Sequence, residues 1–166
     1  MSQAVSLLRE IKHATPLRRR LLMEALAALP AIRLALRYIT FQALIAKSSR
    51  PVSQPEIVGA DREQLCADVR WAVIKACRYL PGKTVCFPRA IAAQAMLHRR
   101  RVGTELYYGA ALRPELGLKT HVWLQNGEMG IVGHRSAGQY RVMACYSSRQ
   151  RGLPGSESAR PSPKEI

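Results

Sequence analysis

Residues 83–98 read KTVCFPRAIAAQAMLH and set Cys86 at the start of a predicted helix. Pro88 is compatible with a first helical turn, because the N–H of a residue there has no partner within the helix. Apolar residues continue at helical spacing until about Arg101, ahead of Gly103. The stretch therefore predicts a helix that begins at a cysteine.

Strand-forming sequence follows this helix. Thr104–Leu112 and Thr120–Leu124 are rich in β-branched and aromatic residues, and Tyr140–Tyr146 is a further candidate strand. Asn126-Gly127 predicts a two-residue hairpin turn. We expect this turn to pair Gln125 with Glu128, and so His121 with Val132.

Helices are predicted before the cysteine. Residues 17–46 carry Leu and Ala at helical spacing, and Pro30 is expected to kink this segment or divide it into two helices. Residues 47–60 have the composition of a linker. A second helix is expected from Asp61, as N-cap with Gln64 three residues on, to Pro81-Gly82.

Helices followed by antiparallel strands indicate an α+β fold in which the helices are segregated from the sheet. We divide the chain into an N-terminal helical segment at residues 1–50, a core domain at 56–146 and a tail at 147–166. The tail is rich in Ser, Pro, Gly and Arg and is predicted to be disordered.

Composition limits the partners of the chain. Its 166 residues carry a formal charge of +15, and 48% of them are apolar, which is enough for a packed core. The charge implies acidic partners: nucleic acid, anionic lipid or an acidic peptide. No window of about 20 residues lacks charge, and no secretory signal opens the chain, so we expect a cytoplasmic protein.

The cysteines do not have the spacing of a metal site. No pair forms C-x-x-C and no histidine follows at zinc-finger spacing, so neither a metal nor another cofactor is expected. A disulfide framework is not expected either. Cys66 and Cys77 fall on or beside the apolar stripe of the second helix, where packing is the expected role.

Cys86 differs from the other cysteines in its surroundings. A helix start stabilises a thiolate, and Lys83 and Arg89 add positive potential. His121 lies on a predicted strand about 35 residues later, in Thr120-His121-Val122-Trp123. A thiolate nucleophile and an imidazole that accepts and returns its proton are the groups that a cysteine hydrolase needs.

These residues resemble a known family. Cys86-Phe87-Pro88-Arg89-Ala90, the run 97–103 (LHRRRVG), the run 105–109 (ELYYG) and His121-Val122-Trp123 resemble the leader peptidases of lasso-peptide biosynthesis, which are transglutaminase-like cysteine proteases. The resemblance covers most of residues 17–146. It implies a transglutaminase/papain-like core, Cys86 as nucleophile and His121 as general base. Arg89 and Trp123 are assigned to substrate binding.

One position departs from that family. Its members usually have an Asp about a dozen residues after the His, which orients the imidazole. Here the region reads Ile131-Val132-Gly133-His134-Arg135, without an acid. Glu128 is expected to lie roughly 13 Å from His121 along the ladder, too far to orient it. His134, a backbone carbonyl or a side-chain amide would take that role, with His134 as the named candidate, or the site works as a Cys–His dyad.

The resemblance also implies partners. The substrate would be a lasso precursor peptide, and the ring would be closed by a separate asparagine-synthetase-like cyclase that uses ATP. Residues 1–60 lack the strand pattern of a leader-recognition module, so we expect that protein in trans.

Two other interpretations stay open from the residues alone. Arg18-Arg19-Arg20 and Arg99-Arg100-Arg101 would suit a nucleic-acid-binding protein, although the sequence shows no zinc knuckle, RNP-like strand or basic zipper. A non-catalytic adaptor would dock to other enzymes or to a membrane surface through the basic amphipathic residues 17–46.

Overall fold

The computed structural model describes residues 11–52, 57–81, 86–115 and 117–149. Residues 11–13 are helical. The longer helices are α1 (Pro16–Ala35), α2 (Phe41–Ser48), α3 (Ala60–Tyr79) and α4 (Cys86–His98). The strands are β1 (Glu105–Arg113), β2 (Gly117–Asn126), β3 (Met129–Val132) and β4 (Arg141–Ser147), and a 3-10 helix (His134–Gln139) joins β3 to β4. The predicted α+β order, with helices before strands, is confirmed.

Helix α1 runs through Pro30, so the expected division at that proline is wrong. Pro30 is exposed, so its ring lies on the solvent side of the helix and displaces no core residue. The chain breaks instead at residues 36–40, and Thr40 caps α2 by accepting a hydrogen bond from the Ala43 N–H at 3.3 Å.

The N-terminus of α3 also differs from the prediction. Gly59, with a φ of +73°, is the N-cap, and Asp61 lies inside the first turn. Gln64 does not close a capping box. Its amide donates to Asp68 Oδ1 at 3.1 Å, one turn further along the helix. The predicted end of this helix is confirmed, because α3 stops at Tyr79, before Pro81.

Ion pairs join α1 to the rest of the fold. Arg18 Nε donates to the buried Asp68 at 2.7 Å, and the guanidinium lies over the Trp71 ring. At the other side of α1, Glu24 accepts hydrogen bonds from Arg99 and from Arg100 just after α4. These arginines are therefore occupied within the chain, which weakens the nucleic-acid interpretation of the two arginine triplets.

A single hydrophobic cluster spans the helices and one face of the sheet. Buried residues of α1 belong to the same cluster as those of α3, α4 and the strands. The apolar core thus continues across residue 50, the expected boundary of the N-terminal segment. The fully buried large side chains include Leu21, Leu22, Leu29, Met96, Leu97, Leu106 and Leu124.

The sheet is antiparallel with the order β3-β2-β1-β4. β1 pairs with β2 over the full length of β1, from Glu105↔Gln125 to Arg113↔Gly117. β4 pairs with the first part of β1, from Glu105↔Ser147 to Ala110↔Arg141. The connection from β3 to β4 has to pass from one edge of the sheet to the other.

The β2–β3 hairpin has a different register from the predicted one. Asn126 pairs with Met129, so the turn residues are Gly127 and Glu128. Gly127 supplies the positive φ, +57°, that the first turn position of a type II′ turn requires. A bulge then places Leu124 opposite Val132 and leaves Ile131 as the extra residue. His121 therefore has no partner within β3.

Candidate active site

Cys86 is the first residue of α4 and is half-buried. Its neighbour Phe87 packs against Phe41 of α2 with ring centroids 4.3 Å apart, and Phe41 in turn contacts Tyr108 of β1. These rings pack the start of α4 against the sheet. The first turn of a helix presents N–H groups that favour a negative charge. The prediction that Cys86 precedes a run of helix is confirmed over the described residues, while residues 82–85 lie outside them.

Arg89 lies one turn along α4 and is half-buried. Its Nε is buried and has no hydrogen-bond partner within the described part of the chain. A buried donor without a partner is costly, so a group that accepts a hydrogen bond there would be favoured. This agrees with the assignment of Arg89 to substrate binding, which stays a prediction.

His121 lies on β2, and one nitrogen of its ring is held in place. Nε2 is 2.8 Å from the carbonyl oxygen of Gly133 and 3.1 Å from Ser136 Oγ. A carbonyl oxygen only accepts hydrogen bonds, so Nε2 carries the proton in this arrangement. The lone pair is then on Nδ1, which leaves that nitrogen available as a base.

Aromatic rings surround the imidazole. The Tyr140 ring lies against it with centroids 5.0 Å apart, and the Trp123 ring stacks at 6.0 Å. Trp123 is itself stacked on Tyr107 and is only 4% exposed. It therefore supports His121 by packing, and its assignment to substrate binding stays a prediction.

Small residues allow this close packing. A Cβ built on Gly109 would lie 2.8 Å from the Trp123 ring. A Cβ built on Gly133 would lie 2.7 Å from the Val122 carbonyl oxygen and 3.2 Å from His121 Nε2. Glycine is thus needed at position 133 for its backbone carbonyl to reach the imidazole.

His134, the candidate orienter, is exposed at the start of the 3-10 helix. Its ring lies beside Gly130, and no hydrogen bond joins it to His121 in the described residues. The bulge at Ile131 accounts for this correction, because it advances the chain by one residue and brings Gly133 to the imidazole. The backbone carbonyl, one of the alternatives considered for the orienting group, occupies that place.

Ser136 and Tyr140 contact His121 but are not expected from the sequence. No motif marks them, because both depend on the path of the 3-10 helix over the sheet. The sequence does give one signal for the orienting group itself. The family's Asp is expected about a dozen residues after His121, and that spacing leads to Gly133.

Cys86 and His121 lie on neighbouring elements, α4 and β2. No hydrogen bond joins the two side chains in the described residues. Side chains alternate along β2, so Val122 and Leu124 face the helices while His121 and Trp123 face the 3-10 helix. Cys86 packs against the cluster on the helix side. The two side chains thus approach β2 from different sides, and no direct contact joins them among the described residues.

A polar cavity of about 790 Å³ opens on the His121 face, at the β2–β3 turn. Glu105 and Arg149 are joined across it at 3.1 Å, and the Gly127 N–H also donates to Glu105. Burial raises the pKa of Glu105, although Arg149 and that N–H oppose the effect. Tyr107, Gln125 and His134 line the same cavity, whereas Cys86 does not.

Burial makes Cys66 and Cys145 less suited to act as nucleophiles. Burial raises the pKa of Cys66 to about 11. Burial also raises the pKa of Cys145, although the Tyr107 hydroxyl opposes this. All the cysteines are free thiols.

Among the residues that the structure describes, every helix falls short of the length or apolarity needed to cross a membrane. No curated protein and no solved structure matches the chain at a significant level. The family model described as "Transglutaminase-like superfamily" matches residues 14–145, which include α1–α4 and nearly all of the sheet. The match covers Cys86, His121 and the residues that hold the imidazole. The chain belongs to the transglutaminase-like superfamily.

Proposed function

We propose that this protein is a cysteine peptidase that removes the leader from a lasso precursor peptide. Members of the transglutaminase-like superfamily are generally cysteine peptidases or transferases. The observation that carries the proposal is the helix that begins at Cys86 and packs onto the sheet whose strand β2 holds His121. That arrangement places a nucleophile and a base on neighbouring elements of one domain.

In the proposed reaction, His121 Nδ1 takes the proton of the Cys86 thiol. The sulfur then attacks the carbonyl carbon between leader and core, and a C–S bond forms. The C–N bond breaks as the imidazolium returns its proton to the leaving amine. Water hydrolyses the thioester and releases the leader with a new carboxylate.

The groups that hydrogen-bond to His121 are uncharged, and this affects the rate of peptide cleavage. A carbonyl and a hydroxyl fix the orientation of the ring, but they stabilise an imidazolium less than a carboxylate would. In this proposal the Cys86 thiol and the His121 imidazole also have to approach each other before the proton is transferred. We therefore propose that substrate or a partner completes the site and that the chain alone is a slow enzyme.

The lasso assignment is the finer part of the proposal. It is supported by the resemblance of the segments around Cys86 and His121 to lasso leader peptidases. In this proposal a separate recognition protein delivers the precursor, and an asparagine-synthetase-like cyclase uses the released core. Delivery by a partner raises the local substrate concentration, which suits a slow enzyme.

The experiment is cleavage of a lasso precursor by the purified full-length chain, with and without the recognition protein, followed by mass spectrometry. Reaction in heavy-oxygen water separates a peptidase from a transferase, because hydrolysis places the label in the new leader carboxylate. We expect label incorporation with wild type and none with Cys86→Ala. Cys77→Ala, which removes a half-buried thiol from α3, is the matched control and should retain cleavage.

Transfer of the leader to an added amine without label incorporation would contradict the peptidase assignment and favour a transferase. Cleavage that is undiminished in Cys86→Ala would contradict the nucleophile.

A further inference from the structure

The hairpin of β1 and β2 projects beyond both neighbouring strands. β3 pairs with β2 only from Leu124 to Asn126, and β4 pairs with β1 only up to Ala110. The strand residues 111–113 and 117–119 are thus paired only with one another. At the end of the hairpin Leu112 and Leu118 lie opposite each other and are 79% and 68% exposed. A two-stranded ribbon with exposed leucines gains stability from a further strand.

The direction of the backbone groups shows which edge is open. The turn at Gly127 and Glu128 closes on the pair Asn126–Met129, so the even-numbered residues of β2 direct their N–H and C=O away from β1. The Val122 carbonyl agrees with this, since it points at Gly133. Leu118 and Thr120 therefore direct their N–H and C=O outward.

This edge has no cover in the described part of the chain. Gly117, Leu118, Lys119 and Thr120 are all exposed. The backbone hydrogen bonds formed outside the strand ladders do not involve Leu118 or Thr120. From residue 117 to 121 the edge is roughly 13 Å long, and it ends at His121.

Charge indicates the kind of partner that fits. In the ribbon and the 3-10 helix beside it, Arg113, Lys119 and Arg135 are basic and only Glu115 is acidic, within a chain whose formal charge is +15. An anionic segment would be favoured there. A β-edge binds peptides through main-chain hydrogen bonds, with alternate side chains lying on each face.

We propose that the open edge of β2 at Leu118–Thr120 binds an acidic peptide segment in extended conformation, as an added strand. This inference rests on the proposed function, because it identifies the bound segment as part of the precursor peptide. The added strand would lead the precursor along β2 to His121.

The test measures binding separately from cleavage. The probe is a fluorescein-labelled peptide of alternating Glu and Val, and its affinity for the full-length Cys86→Ala protein is measured by fluorescence anisotropy. Thr120→Pro removes the outward N–H and leaves the β1 ladder intact. Thr120→Val is the matched control, because it keeps that N–H and has a similar shape. We expect about tenfold weaker binding for Thr120→Pro and no change for Thr120→Val.

A second experiment changes the peptide and not the protein, so its result does not depend on how well a proline variant folds. The same peptide with alternate residues N-methylated cannot donate to the edge, so it should bind about tenfold more weakly to the unsubstituted edge. A peptide of alternating Lys and Val should also bind at least that much more weakly, and added salt should weaken binding of the Glu peptide.

Equal binding of the N-methylated and the unmodified peptide would overturn the proposal. So would equal binding of the peptide by Thr120→Pro and Thr120→Val. A dimer that Thr120→Pro converts to monomer, without a change in peptide binding, would overturn it in favour of a second copy at this edge. Peptide binding by a chain that cleaves no precursor would refute the peptidase and leave the edge proposal standing.

Discussion

Gly133 is the residue whose substitution tests the geometry around His121 most sharply. Its φ is +75°, and an added Cβ would lie 2.7 Å from the Val122 carbonyl oxygen. The left-handed backbone costs a non-glycine residue about 1 kcal/mol. The contact with a backbone atom adds about 1–3 kcal/mol, because the strand has to shift. We therefore expect Gly133→Ala to lose about 2–4 kcal/mol of unfolding free energy.

Gly127→Ala is the matched control. Gly127 also has a positive φ, +57°, but a Cβ there meets no atom within 4 Å. This variant should lose only about 1 kcal/mol. For a chain of this size the expected drops in Tm are about 5–15 °C for Gly133→Ala and about 2–4 °C for Gly127→Ala.

Thermal unfolding followed by circular dichroism measures both variants, and precursor cleavage well below either Tm separates stability from activity. Gly133→Ala should reduce cleavage at least about tenfold, because the new Cβ displaces the carbonyl that fixes His121 Nε2. Gly127→Ala should cleave like wild type. Equal Tm losses for the two variants would refute the close approach of Gly133 to β2.

Further predictions concern the groups around α1 and His121. Glu24→Gln should lower the unfolding free energy by about 1–2 kcal/mol, because it removes the carboxylate that binds Arg99 and Arg100. Burial raises the Glu24 pKa, but the two arginines outweigh burial and lower it below its ordinary value of 4.5. The stabilisation is therefore present above pH 4.5 and is lost as the pH falls through the lowered value, so denaturant melts should show that the Glu24→Gln variant lacks this acid-dependent loss. The exposed Glu63 provides a control, and Glu63→Gln should be neutral. Ser136→Ala should lower kcat for precursor cleavage about threefold to tenfold with little effect on KM, because Ser136 contacts His121; an unchanged kcat would remove Ser136 from the site.

Much of the fold is predictable because its signals are local. The helix at Cys86 has helical spacing and a tolerated proline in its first turn, and both depend only on neighbouring residues. The expectation that Pro30 divides the segment into two helices is wrong for a different reason. Whether a proline inside a helical pattern ends the helix depends on its surroundings in the fold, and Pro30 lies on the exposed side of a helix that packs on the core.

The candidate site is predictable only in part. Residue type and order point to Cys86 and His121, but the group that holds the imidazole depends on register. A single extra residue, Ile131, decides that Gly133 and not His134 reaches His121. Nothing in the local sequence marks this bulge, because its register is set by the whole β2–β3 pairing and by the turn at Gly127.

The absence of a direct contact between Cys86 and His121 among the described residues cannot be inferred from the sequence either. The family pattern predicts that the two residues are adjacent in space, and the structure places them on neighbouring elements. Whether their side chains meet depends on the side of β2 to which each points. That side follows from strand parity relative to the core, where Val122 and Leu124 are buried.

The central claim is that Cys86 is a nucleophile activated by His121. Site-resolved alkylation tests it most directly: iodoacetamide is added near neutral pH in the presence of precursor and recognition protein, and each cysteine is quantified over time by mass spectrometry. Cys86 should be labelled first. Cys66 should be labelled slowly, since its pKa is about 11, and burial should also slow Cys145.

His121→Ala should slow the labelling of Cys86 at least about tenfold and leave the rates of the other cysteines unchanged. Faster labelling of Cys145 than of Cys86, or a Cys86 rate that is the same in wild type and His121→Ala, would contradict the claim.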